Sequence, residues 1–361
     1  MKQGWEYKRF EACINKTPKP KQVKTEEYNS GTKYPIVSQE DKLISGYYDD
    51  ESYVFHIDSP VVIFGDHTRV LKYIDFDFVV GADGVKIISP KQELNAKFLL
   101  YYLQWYKIPN LGYSRHYKLL KEIQIPLPPK STQLSIVSEL DKINELIHLK
   151  KEQLKDYDNL AQSIFYEMFG DPVENDKGWE VKKLGEVGQI VTGTTPSTNE
   201  ESNWNGNINW VTPAELGTQL YYGETIRRIS TNAAKKLTLM PVGTVLLSTR
   251  APIGKLAITK VPMCCNQGFK NIICCQDLNN IFLYFYLLLT MDKIKAMGRG
   301  ATFKEVSKQA ISHYLVPLPP LPLQHLFAQR IEQIERQKSA VTKAKTDLET
   351  LLASRMQHWF E

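Results

Sequence analysis

Two short runs bring glycine, hydroxyl and cationic side chains together: Gly298-Arg299-Gly300-Ala301-Thr302-Phe303-Lys304 and Gly112-Tyr113-Ser114-Arg115-His116-Tyr117-Lys118. Glycine leaves backbone N–H groups accessible, and Arg or Lys beside them makes a loop that suits phosphate. Arg, Asn and Gln can also grip the edge of a base through paired hydrogen bonds. The first run offers Arg299, Thr302 and Lys304, and the second offers Arg115, His116 and Lys118. Thr249-Arg250 with Gly254, Thr68-Arg69, and Asn266-Gln267 with Lys270 add similar groups at expected strand ends. A lone loop arginine is more often simply solvated. What favours a shared binding face is that these groups recur at corresponding points of two related segments.

Catalytic signatures are missing by comparison. The sequence contains no GxxxxGK[ST] phosphate loop, no GxGxxG after a strand, and no HxxxH or HExxH pair among its seven histidines. The prolines of Ile125-Pro126-Leu127-Pro128-Pro129 lack the preceding Asn or Asp with which amino-methyltransferases hold a target amine. Glu180-Val181-Lys182 could be half of a metal-nuclease ExK, but its counterpart reads Glu6-Tyr7-Lys8 and neither follows a well-placed Pro-Asp. A solvated strand edge explains both better. The cysteines are Cys13 and two doublets, Cys264-Cys265 and Cys274-Cys275. The stretch that holds the doublets reads as strand, turn, strand, so the members of a doublet point to opposite faces and pack as small apolar groups rather than sharing a metal. No catalytic site, metal or cofactor of the chain's own is expected.

With 361 residues, 42% hydrophobic and 24% charged, the chain has room for two domains of ordinary globular composition. Its net charge of +5 permits a polyanionic partner without requiring one. The opening MKQGWEYKRF lacks the apolar core of a signal peptide, and the apolar run around Ile281–Leu289 is too short for a membrane helix. A cytoplasmic location is the expectation.

The elements that position these groups come in two copies. GWEYKRF from Gly4 recurs as GWEVKKL from Gly178, 174 positions on; LNAKFLLYYL from Leu94 recurs as LNNIFLYFYL from Leu278, 184 on. PVVIFGDHTR from Pro60 aligns with PVGTVLLSTR from Pro241 at 181, and IPLPP from Ile125 with VPLPP from Val316 at 191. After each proline pentamer comes a segment of helix-forming residues. Leu140, Ile143, Ile147, Lys150, Leu154, Tyr157, Ala161, Ile164 and Met168 step by three and four, and the same steps shifted by 191 run from Ile331 to Trp359, with Leu351 and Met356 at the edge. Such exposed stripes call for the two helices to pack on each other, antiparallel by preference. The predicted fold is α+β: two similar globular domains with mixed or antiparallel sheets and one short helix each, separated by long helices packed as an antiparallel coiled coil with pseudo-two-fold symmetry. The expected boundaries are 1–130 for the first domain, 131–170 for the central helix, 171–177 for a linker, 178–321 for the second domain and 322–361 for the C-terminal helix.

This layout resembles the specificity subunit of type I restriction–modification systems over essentially the whole chain. GWEVKKLGEVGQIVTGTTPS, Thr249-Arg250-Ala251-Pro252-Ile253-Gly254, Asn266-Gln267 and GRGATFK with VPLPPLPLQ are close to the family's second-copy pattern. The first copy departs from it, with Gly65-Asp66-His67-Thr68-Arg69 and VGADGVKII in the corresponding places. The resemblance implies a non-catalytic DNA-recognition subunit with two target-recognition domains, each reading half of a bipartite asymmetric site, and with helices that set the spacing. It implies as partners double-stranded DNA, two methyltransferase (modification) subunits that carry S-adenosylmethionine, and two restriction subunits that use ATP and magnesium. The residues by themselves leave open a stand-alone DNA-modifying enzyme with a cryptic site, and a tandem structural adaptor.

Overall fold

The computed structural model describes residues 4–112, 114–250, 252–298 and 304–361. The chain divides into two compact units, residues 1–152 with 342–361, and residues 153–341. Among the described residues no helix is long and apolar enough to cross a membrane.

In the first unit, strands in the order Ile14–Asn15, Val85–Pro90, Val61–Gly65 and Leu71–Ile74 form one antiparallel sheet. A second sheet runs Gly46–Tyr48, Tyr34–Val37, Phe78–Val80 and Val54–Phe55, with Tyr34–Val37 parallel to Phe78–Val80. The second unit repeats this plan. Its larger sheet runs Gly188–Thr192, Lys270–Cys274, Val245–Leu247, Leu256–Thr259, Tyr221–Tyr222; its smaller one runs Arg227–Ile229, Trp204–Val211, Met263–Cys265. The first unit's larger sheet is antiparallel and the other three are mixed, within the antiparallel or mixed character the alternating runs predict. Each doublet cysteine of Met263–Cys265 does face its own core: Cys264 packs with Trp210 and Ile229, Cys265 with Val211 and Phe269. Burial pushes the Cys264 thiol up to about 11 and Cys265 to about 12, so both stay protonated and inert.

The opening and closing motifs of each copy form one ribbon. Lys8 pairs with Ile125 and Glu6 with Leu127; Lys182 pairs with Val316 and Val181 with Pro317. A two-stranded ribbon tolerates proline because one strand edge needs no donors. From these ribbons the chain enters helices Lys130–Phe169 and Leu321–Phe360, each of 40 residues. All the predicted seam positions from Leu140 to Met168 and from Ile331 to Trp359 are buried or half-buried, whereas Leu351 is exposed and not part of the seam. In the second unit Phe165 meets Phe327 and Asp158 pairs with Lys338 at 2.8 Å, so one helix descends as the other ascends and the packing is antiparallel. In the first unit Glu139 accepts hydrogen bonds from the Arg355 guanidinium and from Trp359 Nε1.

Candidate nucleic-acid interface

Each unit brings three loops together at one end of its larger sheet, and the same backbone hydrogen bonds hold them. In the second unit Thr249 N donates to Gly268 O at 2.8 Å, and Val306 N donates to Thr249 O at 2.9 Å. In the first, Asp66 N donates to Gly84 O at 2.7 Å, and His116 N to Asp66 O at 2.9 Å. Asp66 therefore stands where Thr249 stands, Gly84 where Gly268 stands and His116 where Val306 stands.

That equivalence corrects the repeat register at this loop. Gly65 N donates to Val70 O and Arg69 N to Gly65 O; likewise Ser248 N donates to Lys255 O and Gly254 N to Ser248 O. The counterpart of Arg69 is thus Gly254, not Arg250, and the second-unit loop is two residues longer. The similar letters of HTR and STR left the alignment two positions out at Gly65 and Ser248 and four positions out at Arg69. Arg69 and Gly254 share a left-handed backbone, with φ of 62° and 100°. Glycine adopts this at little cost, whereas an arginine must be held there. Arg69 is held by its Nη1, which donates to Ile108 O at 3.1 Å.

The second-unit candidates divide into a displayed set and a framework set. Arg250 and Gln267 are exposed at the ends of adjacent loops, and Lys304 is exposed on the third. Arg250 bridges Glu305 through the backbone, while Gln267 Oε1 accepts from Thr195 Oγ1 at 2.7 Å. Thr249 is fully buried, its hydroxyl turned to Gly268 O. Lys270 is buried and reaches Glu305 at 3.1 Å. Asn266 spends its Oδ1 on Gly268 N, which closes the turn that displays Gln267. Thr249, Asn266 and Lys270 build the loop ends rather than project from them. Arg299 and Thr302 lie outside the described residues.

In the first unit Thr68, Arg115 and Lys118 are exposed. Thr68 Oγ1 donates to Gln39 O at 2.7 Å, and with Arg69, Lys107 and Asn110 it borders a cleft of about 580 Å³. Arg115 pairs with Asp83 at 3.3 Å across the loop ends. His116 does not belong with the displayed groups. It is fully buried, its Nε2 accepts from Leu111 N at 3.0 Å, and its Nδ1 must then donate to Asp66 O at 2.9 Å. Its role is to tie the loop down.

The sequence reading passed over the residues that knit these loops. Gln39 receives Thr68 at its carbonyl and sends Nε2 to Asp83 O at 3.1 Å. Buried Asp66 accepts Tyr117 N at 2.7 Å and lies 3.7 Å from Lys86. Lys72, in the adjacent strand, is buried with its Nζ donating to Ser38 O and Lys42 O, and burial holds its pKa below the usual lysine range. No spacing rule marks such residues, because their partners are carbonyls far away in sequence.

A family model described as the type I restriction modification DNA specificity domain matches residues 2–156 and 176–350. The chain belongs to this family. Among its curated relatives is the MjaIX type I restriction enzyme specificity subunit of Methanocaldococcus jannaschii, 33% identical over 190 residues that cover 51% of this chain and 44% of that protein. The match thus spans less than half the length of that relative. The EcoR124I/EcoR124II specificity subunit of Escherichia coli is 25% identical over 346 residues, covering 89% of this chain and 84% of that one. Among solved structures, the type I restriction–modification S subunit from M. genitalium shares the fold with a TM-score of 0.61 at 15% identity, covering 99% of this chain and 96% of that chain. A chain from a structure addressing complex assembly and conformational transition of the type I R-M system gives 0.58 at 20%, covering 99% and 98%.

The two specificity-domain matches each include one ribbon, one pair of sheets and most of one long helix. Where ribbon becomes helix, each carries the same glutamine clamp. Gln133 Nε2 donates to Pro128 O and Glu93 O, both at 2.9 Å, and its Oε1 accepts Asn95 N at 2.8 Å. Gln324 repeats this on Pro319 O at 2.8 Å, Asp277 O at 3.1 Å and Asn279 N at 2.8 Å. Both glutamines are buried. The direction in which each helix leaves its proline joint is therefore set by three hydrogen bonds as well as by proline geometry.

Proposed function

We propose that this chain is the DNA-sequence-reading subunit of a type I restriction–modification complex and does no chemistry itself. Each unit reads one half of a bipartite, asymmetric site, with the displayed groups Arg250, Gln267 and Lys304 in one unit and Thr68, Arg115 and Lys118 in the other. Arg299 and Thr302 complete the second set. The observation that carries this reading is a conserved loop frame within the chain that displays different polar side chains in its two copies. A shared frame with a shared payload would suit a repeated site; a shared frame with a different payload suits two different half-sites.

The long helices serve as the ruler. Forty residues at 1.5 Å each give about 60 Å of helix, against about 34 Å for one turn of DNA. The presence of two similar copies gives two identical methyltransferase subunits equivalent surfaces to dock on in one asymmetric chain. Those subunits carry S-adenosylmethionine and methylate adenine. Restriction subunits, two per complex, supply ATP-driven translocation and cleavage with magnesium. The complex works on cytoplasmic DNA.

With a net charge of only +5, the isolated chain binds DNA weakly. Tight, salt-dependent binding requires the methyltransferase subunits. The test is to map methylated adenines in cells with and without this chain, and to measure binding of the chain alone and of the assembled complex. The proposal predicts a bipartite methylated motif that disappears with the chain. Methyl transfer by the purified single chain, or tight specific binding without partners, would contradict it.

A further inference from the structure

Beside the three loops, the second unit carries an aromatic shelf that the loop frame does not need. The Arg227 guanidinium lies 3.7 Å from the centroid of the Trp204 ring and 5.1 Å from that of Trp210. The two indoles meet edge to face at 5.1 Å. A bulge builds the shelf: strand Trp204–Val211 shifts register between Trp204 and Ile208, with Asn205 in a left-handed conformation at φ 59°. Both Trp204 and Ile208 consequently pair with Ile229, and Trp204 is returned over Arg227. Bulges of this kind re-aim side chains next to working sites.

The turn before Arg227 is equally fixed. Glu215 Oε2 accepts Ile226 N at 2.8 Å, and Thr225 Oγ1 accepts Trp210 N at 3.2 Å. Yet Ile226, Arg227 and Arg228 are all exposed, Ile226 to 86%. The hydrogen-bonded turn thus presents three exposed residues in fixed positions. Among the described residues no carboxylate pairs with Arg227. The shelf also touches the loop interface: Trp210 Nε1 donates to Thr194 O at 3.2 Å, and the next residue, Thr195, holds Gln267.

The first unit shows what is special here. Ile36 pairs with Val79 and Gly46 just as Trp210 pairs with Cys264 and Arg227, so Gly46 occupies the Arg227 position. A Cβ on Gly46 would lie 1.9 Å from Tyr28 O. The first unit has sealed the very position from which the second projects an arginine.

We propose that Arg227, positioned by Trp204 and Trp210, is a specificity-determining residue of the second unit that recognises guanine through the major groove. Stacking occupies the face of the guanidinium and leaves its edge, with paired N–H donors, for O6 and N7 of the base. The stack also removes the rotamer freedom that a solvated arginine would lose on binding. This rests on the DNA-reading assignment above.

The test uses the chain assembled with its methyltransferase subunits and a panel of duplexes substituted at each position of the recognised site. Arg227→Lys keeps the charge but loses the planar fork. It should lose about 10- to 100-fold discrimination at one guanine of one half-site, with the salt dependence of binding unchanged. Trp204→Ala should lose discrimination at the same guanine, and Trp204→Phe should restore most of it. Hydrogen exchange at Trp210 and Ile229 checks that the strands remain formed. Unchanged discrimination at every position in Arg227→Lys overturns the proposal. So does a uniform loss of affinity in Arg227→Ala with base preference intact, which would make Arg227 a phosphate contact. A wild-type complex with no sequence preference would instead overturn the underlying reading.

Discussion

The two units are best understood by laying one over the other. What they share is a set of contacts between residues distant in sequence: the GWE–PLPP ribbon, the glutamine clamp, and the loop bonds Asp66–Gly84 and Thr249–Gly268. They also share a tyrosine that ties the short helix to the ribbon, Tyr102 to Gln124 O and Tyr286 to Leu315 O. What they do not share sits on the loop ends and at one edge of the smaller sheet. The first unit has a four-residue loop from Asp66 to Arg69, a buried His116 and a sealed Gly46. The second has a longer loop from Thr249 to Gly254 and the Trp–Arg shelf. The frame is held constant while the displayed groups diverge, as expected of two readers of unlike half-sites.

The shared part can be broken first. Phe360 packs against Phe98, Tyr102 and Trp105 in the first unit, at 5.5, 5.6 and 5.9 Å between ring centroids. Phe169 packs against Phe165, Phe282 and Phe327 in the second, at 5.0, 4.8 and 5.2 Å. Phe360→Ala and Phe169→Ala should each cost about 3–5 kcal/mol, with faster amide exchange confined to the unit that lost the ring. Next in size is the clamp. Gln133→Ala and Gln324→Ala each orphan one half-buried N–H and two carbonyls, so about 2–4 kcal/mol should be lost from either unit in chemical denaturation. Equal losses from the two support a common frame; a loss in one alone breaks it.

A smaller and asymmetric pair sharpens the difference. Gly254→Ala should destabilise the second unit by about 1–2 kcal/mol because of its left-handed backbone, and the new Cβ would meet Met291 Sδ at 2.7 Å. Arg69→Gly, at the equivalent point, should change stability by less than about 1 kcal/mol, as relief of φ strain offsets the lost bond to Ile108. Smallest is a pH effect on the first unit. The Arg355 bond, with help from Trp359, holds the Glu139 carboxyl below its usual value of 4.5. A lowered folded value means that the contribution is complete above about pH 4.5 and fades as pH falls through the folded value. Arg355→Ala should abolish that acid sensitivity while leaving the second unit's acid profile unchanged.

Much of this was legible in the sequence, for reasons visible in particular residues. The duplication, the seam from Leu140 to Met168 and the doublet strands rest on periodicity and repetition, which local backbone geometry enforces. The loops resisted. His116 and Lys270 have the residue types of contact groups, yet each is buried against a partner tens of residues away, and nothing in their neighbours announces that. Matching Arg250 with Arg69 failed because similar letters aligned two residues out along the strand, and the two-residue loop insertion added two more. Arg227 was missed because its support, Trp204, is brought over it by a bulge, and bulges leave no periodic trace.

The central claim, that each unit reads its own half-site through a common frame, is tested most directly by two single variants in the assembled complex. Arg115→Ala and Arg250→Ala should each relax base preference in one half of the recognised sequence, a different half for each, with the spacing between halves unchanged. If both variants alter the same half, or if neither changes the methylated motif, the assignment of one half-site to each unit is wrong.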